Sequence, residues 1–232
     1  MRLTSRVSVA SLLPVLAVLL VGLPARAVEP AAPSSQQRVV AIVPFGKVKQ
    51  AVLERVAKEI QARLKVQVRF DPRRELPKAA YYAPRSRWRA EKLLEAIDAD
   101  PPKGAWKVVA VTDAEISTTK EDIPDWRIGG LGSLGGLSCV ASTYIYRKHS
   151  RTEDVLMRRV ADLAIHEFGH TLGFDHCETE GCVMADAKGK AIESADKSSG
   201  HYCARCLGLL SAEDRAWLMD EVVREEKQAT PR

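Results

Sequence analysis

Beyond residue 27 the chain lacks any apolar run long enough to cross a bilayer, which argues against a membrane-embedded body. It also lacks an excess of one charge. Of its 35 basic side chains, Arg2, Arg6 and Arg26 fall within the first 27 residues; without these three, 32 basic side chains face 30 acidic ones. Near-balanced charge and the absence of a basic face interleaved with aromatics leave no case for nucleic-acid binding. No cysteine stands at residue 27, so a lipid-modified N-terminus is not indicated, and no propeptide cysteine is evident that could mask an active site.

What the first 27 residues do contain is an address. Arg2 and Arg6 form a basic start, Val7 to Leu23 is almost wholly apolar but interrupted by Pro14, and Ala25-Arg26-Ala27 is a small-x-small cleavage site. This pattern predicts a signal peptide over 1–27, cleaved after Ala27, and an exported (secreted or periplasmic) mature chain with no stable membrane anchor. Residues 28–37, with Pro30 and Pro33, read as a flexible lead-in. The rest, 38–227, suits one domain built around a cleft, with an upper lobe over 38–174 and a lower lobe over 175–227. Oligomeric state is not legible.

Periodicity then places the elements. Val39–Val43 is a continuous apolar run, as in a buried central strand. Lys47–Leu64 carries Val48, Val52, Val56 and Ile60 every four residues and predicts a helix. Lys65–Phe70 alternates as a half-buried strand, Asp71–Pro77 is turn-rich, Ser86–Ala99 reads as a second helix, and Trp106–Val111 as a third strand. This order argues for an α/β (α+β) fold: a mixed, mostly parallel twisted sheet flanked by helices. Asp113–Gly136 shows no period and reads as a long functional loop. Its Gly130, Gly132 and Gly135 fit G-x-G-x-x-G, but no helix opens after them, so a nucleotide site is rejected. Leu137–Tyr146 reads as an apolar strand. A helix starting near Ser150, with Ser150 and Glu153 in capping-box spacing, carries the apolar stripe Leu156, Val160, Leu163, Ala164 and Phe168. Asp186–His201 reads as a loop, and Ser211–Glu226 as a closing helix capped by Ser211, with Trp217, Met219 and Val223 for packing.

On the flank of that stripe stands His166-Glu167-Phe168-Gly169-His170-Thr171-Leu172-Gly173-Phe174-Asp175-His176, which fits H-E-x-x-H-x-x-G-x-x-H at every specified position. Residues four apart share a helix face, so His166 and His170 can reach one metal ion. Gly173 can adopt the left-handed conformation that ends the helix and turns His176 in as third ligand. Three protein ligands with one open position describe a catalytic zinc site. Zinc lowers the pKa of a bound water to about 7, and Glu167 can take its proton and pass it to the leaving amine.

Cys177 follows the third histidine directly. Cys182, Met184, Cys203 and Cys206 complete the order H-E-x-x-H-x-x-G-x-x-H-C-x4-C-x-M and C-x-x-C. This resembles the archaemetzincins, metzincin-type zinc metallopeptidases with an additional four-cysteine zinc site. The resemblance is specific over 166–206 and extends over about 38–225. One more residue separates Met184 from Cys203 than the family pattern has. The resemblance implies that Cys177, Cys182, Cys203 and Cys206 hold a second, structural zinc in the C-terminal lobe, that Met184 is the Met-turn methionine packing beneath the catalytic metal, and that the strand Leu137–Tyr146 pairs with extended substrate.

Export leaves disulfides Cys177–Cys182 and Cys203–Cys206 as the other reading. The tiny C-x-x-C loop and the affinity of thiolates for zinc favour the metal. Cys139 reads as a buried thiol. The resulting expectation is a peptide-hydrolysing enzyme with two zinc ions, acting on a peptide or protein substrate. Tyr144, Tyr202 and His201 are candidates for a further hydrogen-bond donor to the oxyanion. The alternative is a zinc-containing peptide-binding protein with little or no turnover.

Overall fold

A computed structural model describes residues 37–219. The expected signal peptide, nearly all of the lead-in, and the end of the expected closing helix, Val223 included, lie outside the described residues.

The first strand, β1 (Val39–Phe45), is followed by helix α1 (Gln50–Arg63) and strand β2 (Gln67–Phe70). Short strands β3 (Tyr81–Tyr82) and β4 (Arg87–Arg89) lead into helix α2 (Ala90–Ala99) and strand β5 (Lys107–Thr112). Strands β6 (Ile116–Lys120), β7 (Ile123–Ile128), β8 (Gly130–Gly132) and β9 (Ser138–Ser142) follow. Helices α3 (Tyr144–His149), α4 (Glu153–Thr171), α5 (Ala191–Lys197), α6 (Ala204–Leu207) and α7 (Ala212–Arg215) complete the described residues.

The main sheet runs β2-β1-β5-β9-β8. β1 pairs in parallel with β2 and β5, β5 pairs in parallel with β9, and only β8 is antiparallel. A strand with parallel neighbours and helices on both faces must be apolar throughout, which is why Val39–Phe45 shows no alternation. Its side chains still divide between two cores. Val40 and Ile42, with Val109 and Val111, face α1 (Val52, Val56, Ile60) and α4 (Val160, Ala164, Phe168). Val43 and Phe45, with Val108 and Ala110, face Leu93, Leu94 and Ile97 of α2. Each buried valine, leucine, isoleucine or phenylalanine among them contributes about 1.5–3 kcal/mol by leaving water.

Five readings are corrected. Asp113–Gly136 is no loop: it supplies β6, β7 and β8, and β6 and β7 join a second sheet, β3-β4-β6-β7. That sheet escaped notice because it is stitched by polar groups. Arg87, nearly buried, pairs with Glu115 at 3.0 Å and Asp125 at 2.7 Å. Within Ser86–Ala99 the helix starts only at Ala90, since Arg87–Arg89 are drawn into this sheet. Leu137–Tyr146 is a strand only to Ser142. There Ser142 Oγ donates to Ala114 O (2.6 Å) and accepts from Tyr144 N (3.1 Å), which turns the chain into α3. The active-site helix is capped by Thr152, whose hydroxyl accepts from Val155 N, while Ser150 ends α3. Asp186–His201 contains α5, held by Arg159 bridging to Asp196 at 2.9 and 2.7 Å.

The two ends of the described chain meet. The Arg38 guanidinium lies 4.3 Å from the Trp106 ring centroid and 5.0 Å from that of Trp217, and it pairs with Glu213 and Asp214. Ser211 caps α7 as expected, accepting from Asp214 N, but the helix stops at Arg215 where a longer one was expected, and Leu218 instead bridges to Leu64.

Candidate active site

Helix α4 presents His166 and His170 to a cleft of about 1190 Å³. It ends at Thr171. Gly173, at φ +92°, carries the turn: its N–H donates to His170 O at 2.9 Å, and Phe174 N–H to Gly169 O at 3.0 Å. An L side chain strains at that φ, so the glycine is a condition of bringing His176 round. The ligand-competent atoms of His166, His170 and His176 all lie within 4.8 Å of one another.

Backbone carbonyls fix the first two rings. His166 Nδ1 stands 2.7 Å from Val183 O, and His170 Nδ1 stands 2.7 Å from Phe174 O. A carbonyl only accepts, so each Nδ1 carries the proton and each Nε2 keeps its lone pair for a metal. Burial, followed by the neighbouring His170, pushes His166 down to about 4, so its ring is neutral at physiological pH. Burial also lowers His170. Three imidazoles converging on a cleft, two of them with Nε2 left free by their carbonyl partners, fit a zinc ion with an open position.

Glu167 lines the same cleft and is buried. Burial pushes its carboxyl up to about 8; a cation held by the histidines would draw it back down.

Three glycines make this packing possible. A Cβ on Gly169 would collide with Met184 Sδ and lie 2.9 Å from Tyr202 Cε1, so Met184, fully buried, seats directly under the helix. A Cβ on Gly130 would lie 2.5 Å from Glu167 Cγ and 2.6 Å from its Oε1. One on Gly132 would strike the Glu167 carbonyl oxygen and lie 2.7 Å from His170 Cβ. β8 therefore rests on α4 along a glycine face, while Leu131 packs into the opposite core.

β8 is also the free edge of the sheet, so the expectation that the strand over Leu137–Tyr146 meets substrate is corrected. β9 is buried along its length between β5 and β8. Gly129 O accepts from Ser142 N and Ser133 N donates to Ser138 O. In an antiparallel ladder alternate residues bond inward, so Leu131 faces Val140 and the backbone groups of Gly130 and Gly132 point to the open edge.

Beyond His176 the chain enters the second cluster. Cys177, Cys182, Cys203 and Cys206 have free thiols, with all four sulphurs within 4.8 Å of one another. Cys177–Cys203, Cys182–Cys206 and Cys203–Cys206 stand at 3.7, 3.8 and 3.8 Å. Four sulphurs held tetrahedrally at about 2.3 Å from one zinc stand about 3.8 Å apart, so this donor set fits a closed site. A hydrogen bond from Cys206 draws the Cys182 thiol down to about 5. Cys139 is buried in the core, as read.

None of the three residues considered for the oxyanion lines the cleft. The buried Tyr202 hydroxyl donates to Ile165 O at 2.7 Å, and the Tyr144 hydroxyl accepts from Lys148 Nζ at 2.8 Å. The backbone carbonyl of His201 accepts from Val183 N, bracing the turn that carries Met184. Sequence reasoning missed the close-approach role of Gly130 and Gly132; their spacing of two on one strand face was the available signal.

A family model described as Peptidase family M54 matches residues 38–212. An archaemetzincin of Halobacterium salinarum is 28% identical over 172 residues, spanning 71% of this chain and 95% of that protein. Among solved structures, an archaemetzincin from Methanopyrus kandleri aligns with TM-score 0.64 at 23% identity, covering 75% of this chain and 93% of its own. One from Archaeoglobus fulgidus, complexed with malonate, aligns with TM-score 0.61 at 22% identity, covering 73% and 98%.

Proposed function

This chain belongs to peptidase family M54, the archaemetzincins, and is a zinc metallopeptidase; we propose that it acts as an exported two-zinc enzyme in which Glu167 is the general base. The observation that carries the reading is the pairing of His166 and His170 with backbone carbonyls, which leaves both Nε2 atoms beside His176 in a cleft that also holds Glu167.

His166, His170 and His176 would hold the catalytic zinc, and Cys177, Cys182, Cys203 and Cys206 a structural one. When bound in the first site, zinc supplies an acidified water and a Lewis acid for the scissile carbonyl. Glu167 takes a proton at its carboxylate and returns it to the departing amine; its buried position keeps bulk water from competing for that proton. Met184 fills the space under Gly169 and holds the helix level without touching metal. Gly130 and Gly132 offer N–H and C=O groups to an extended peptide, which thereby adds a strand to the sheet edge. Export rests on the basic start, the apolar run and Ala25-Arg26-Ala27.

The test is hydrolysis. The zinc-loaded protein, incubated with a diverse peptide mixture, should generate new peptide ends, and chelator-treated or Glu167→Gln protein should not. A zinc-loaded wild type that binds peptides without cleaving them would favour the binding-protein reading. N-terminal sequencing of exported material should begin at Val28; protein retained in the cytoplasm with Met1 intact would overturn export.

A further inference from the structure

The main sheet opens a second time, away from the histidines. From β1 the chain steps to β2 on one side and later returns to β5 on the other, so its winding reverses between β1 and β5. In an open parallel sheet such a reversal leaves a crevice beyond the carboxyl ends of the strands, because the loops that follow them part in opposite directions. Here the crevice is a cavity of about 440 Å³. Lys47 and Lys49 reach it from the chain between β1 and α1, Asp113 from the residue after β5, and Thr143 from the residue after β9. Arg147 of α3, Arg151 and Glu153 of α4 complete its charged lining. His166 comes about 20 Å further along α4 from Glu153, at about 1.5 Å per residue.

Four cations outnumber two carboxylates in this lining. Lys49 pairs with Glu153 at 2.7 Å and Arg147 with Asp113 at 3.6 Å, which leaves Lys47 and Arg151 without an ion pair among the described residues. Helix α1 begins at the cavity with no side-chain cap and no acid in its first turn, so its positive end stands unneutralised. Helix α4 has the Thr152 cap, Glu153 and Asp154 for the same purpose. Thr143 points to a ligand independently. It is 5% exposed, and its backbone is held by Thr112 O at 2.9 Å and Arg147 N at 2.8 Å. Its hydroxyl bonds to no described residue and is not sealed from solvent, so it opens into the cavity. Buried hydroxyls normally find a partner.

We propose that this crevice binds a small phosphate-bearing ligand. Lys47 and Arg151 neutralise the phosphate, Thr143 hydrogen-bonds to one of its oxygens, and the positive end of α1 lies beside it. Four cations less two carboxylates leave two positive charges, which match a phosphate ester of about −1.5 to −2 at pH 7. The ligand is free phosphate or a phosphomonoester whose small apolar body rests on Val48, Val52 and Leu156 in the cavity wall. The site is separate from the histidine cleft and does not depend on the peptidase reading.

The test is calorimetric titration of the zinc-loaded protein at low salt, with a hydroxamate occupying the catalytic zinc so that phosphate cannot bind there. Inorganic phosphate and phenyl phosphate are the two probes. At least one should bind saturably. Lys47→Glu and Arg151→Glu should each weaken that binding at least about tenfold, and Thr143→Val, which keeps the side-chain shape, about three- to tenfold. Lys103→Glu makes the same charge change on an exposed residue before β5, at the opposite end of the strand, and should leave the affinity unchanged. Tighter binding of phenyl phosphate would identify a phosphomonoester as the ligand; equal binding would identify phosphate itself. Three results would overturn the proposal: no saturable binding of either probe, affinity that survives Arg151→Glu and Thr143→Val, or an equal loss in Lys103→Glu.

Discussion

Gly130 is pressed so closely on Glu167 that a side chain on the glycine would occupy the place of the carboxylate. The base is thus held between its own helix and the edge strand. Gly130→Ala should keep the zinc and lower kcat at least about tenfold, a part of the 10²–10⁴-fold carried by a positioned base. Overpacking should also cost about 1–3 kcal/mol of stability, read by denaturant unfolding. Normal kinetics in this variant would mean that the β8–α4 contact does not position Glu167.

Glu167→Gln should retain zinc by elemental analysis and lose about 10²–10⁴-fold in turnover. Near-normal rates would remove Glu167 from the mechanism.

The same residue sets a pH dependence in the metal-free protein. Its carboxyl is raised to about 8 in the fold, against about 4.5 when exposed, so the folded state binds the proton more tightly. Its contribution is therefore fully present below about pH 4.5 and is lost as pH rises through 8. Metal-free Glu167→Gln should equal the metal-free wild type in stability near pH 4 and exceed it at pH 8. Parallel unfolding curves at the two pH values would contradict the burial account.

Protein purified without added metal should contain two zinc ions per chain. Because a closed thiolate site is coupled to folding, Cys203→Ser should lower the Tm more than His176→Ala does. A ratio near one, with disulfides found by mass spectrometry, would mean that the cysteines are oxidised after export.

Peptides N-methylated at the backbone positions that meet Gly130 and Gly132 should bind more weakly, by about three- to tenfold for each lost hydrogen bond. Methylation without effect at every position around the scissile bond would show that β8 does not pair with substrate.

Much of this is legible in the sequence. The eleven residues from His166 to His176 disclose the metal chemistry because helical spacing alone brings two histidines together and Gly173 announces the turn. β1, α1 and β5 were readable because burial is written in their composition. What stayed hidden depended on long-range pairing. Nothing local to Ile116–Ile128 says that its polar residues will be satisfied by Arg87 and Arg89, some 30 residues earlier. Nothing local to Ser142 says that Ala114 O will catch its hydroxyl and end the strand. The identity of the edge strand is likewise a property of the whole sheet, and the glycines that mark it had a nearer false reading as a phosphate loop.

The clasp of Arg38 by Trp106, Trp217 and Asp214 binds the beginning of the domain to its end. β1, the first strand made, is also a central one, and its partner β5 begins at Lys107. Assembly is therefore a closure of distant parts rather than a growth from the N-terminus, and such closures are slow because large loops must be ordered first. A chain emerging in sequence cannot bury β1 between both of its partners until over a hundred residues have appeared, nor close the clasp on Arg38 until Asp214 and Trp217 have arrived.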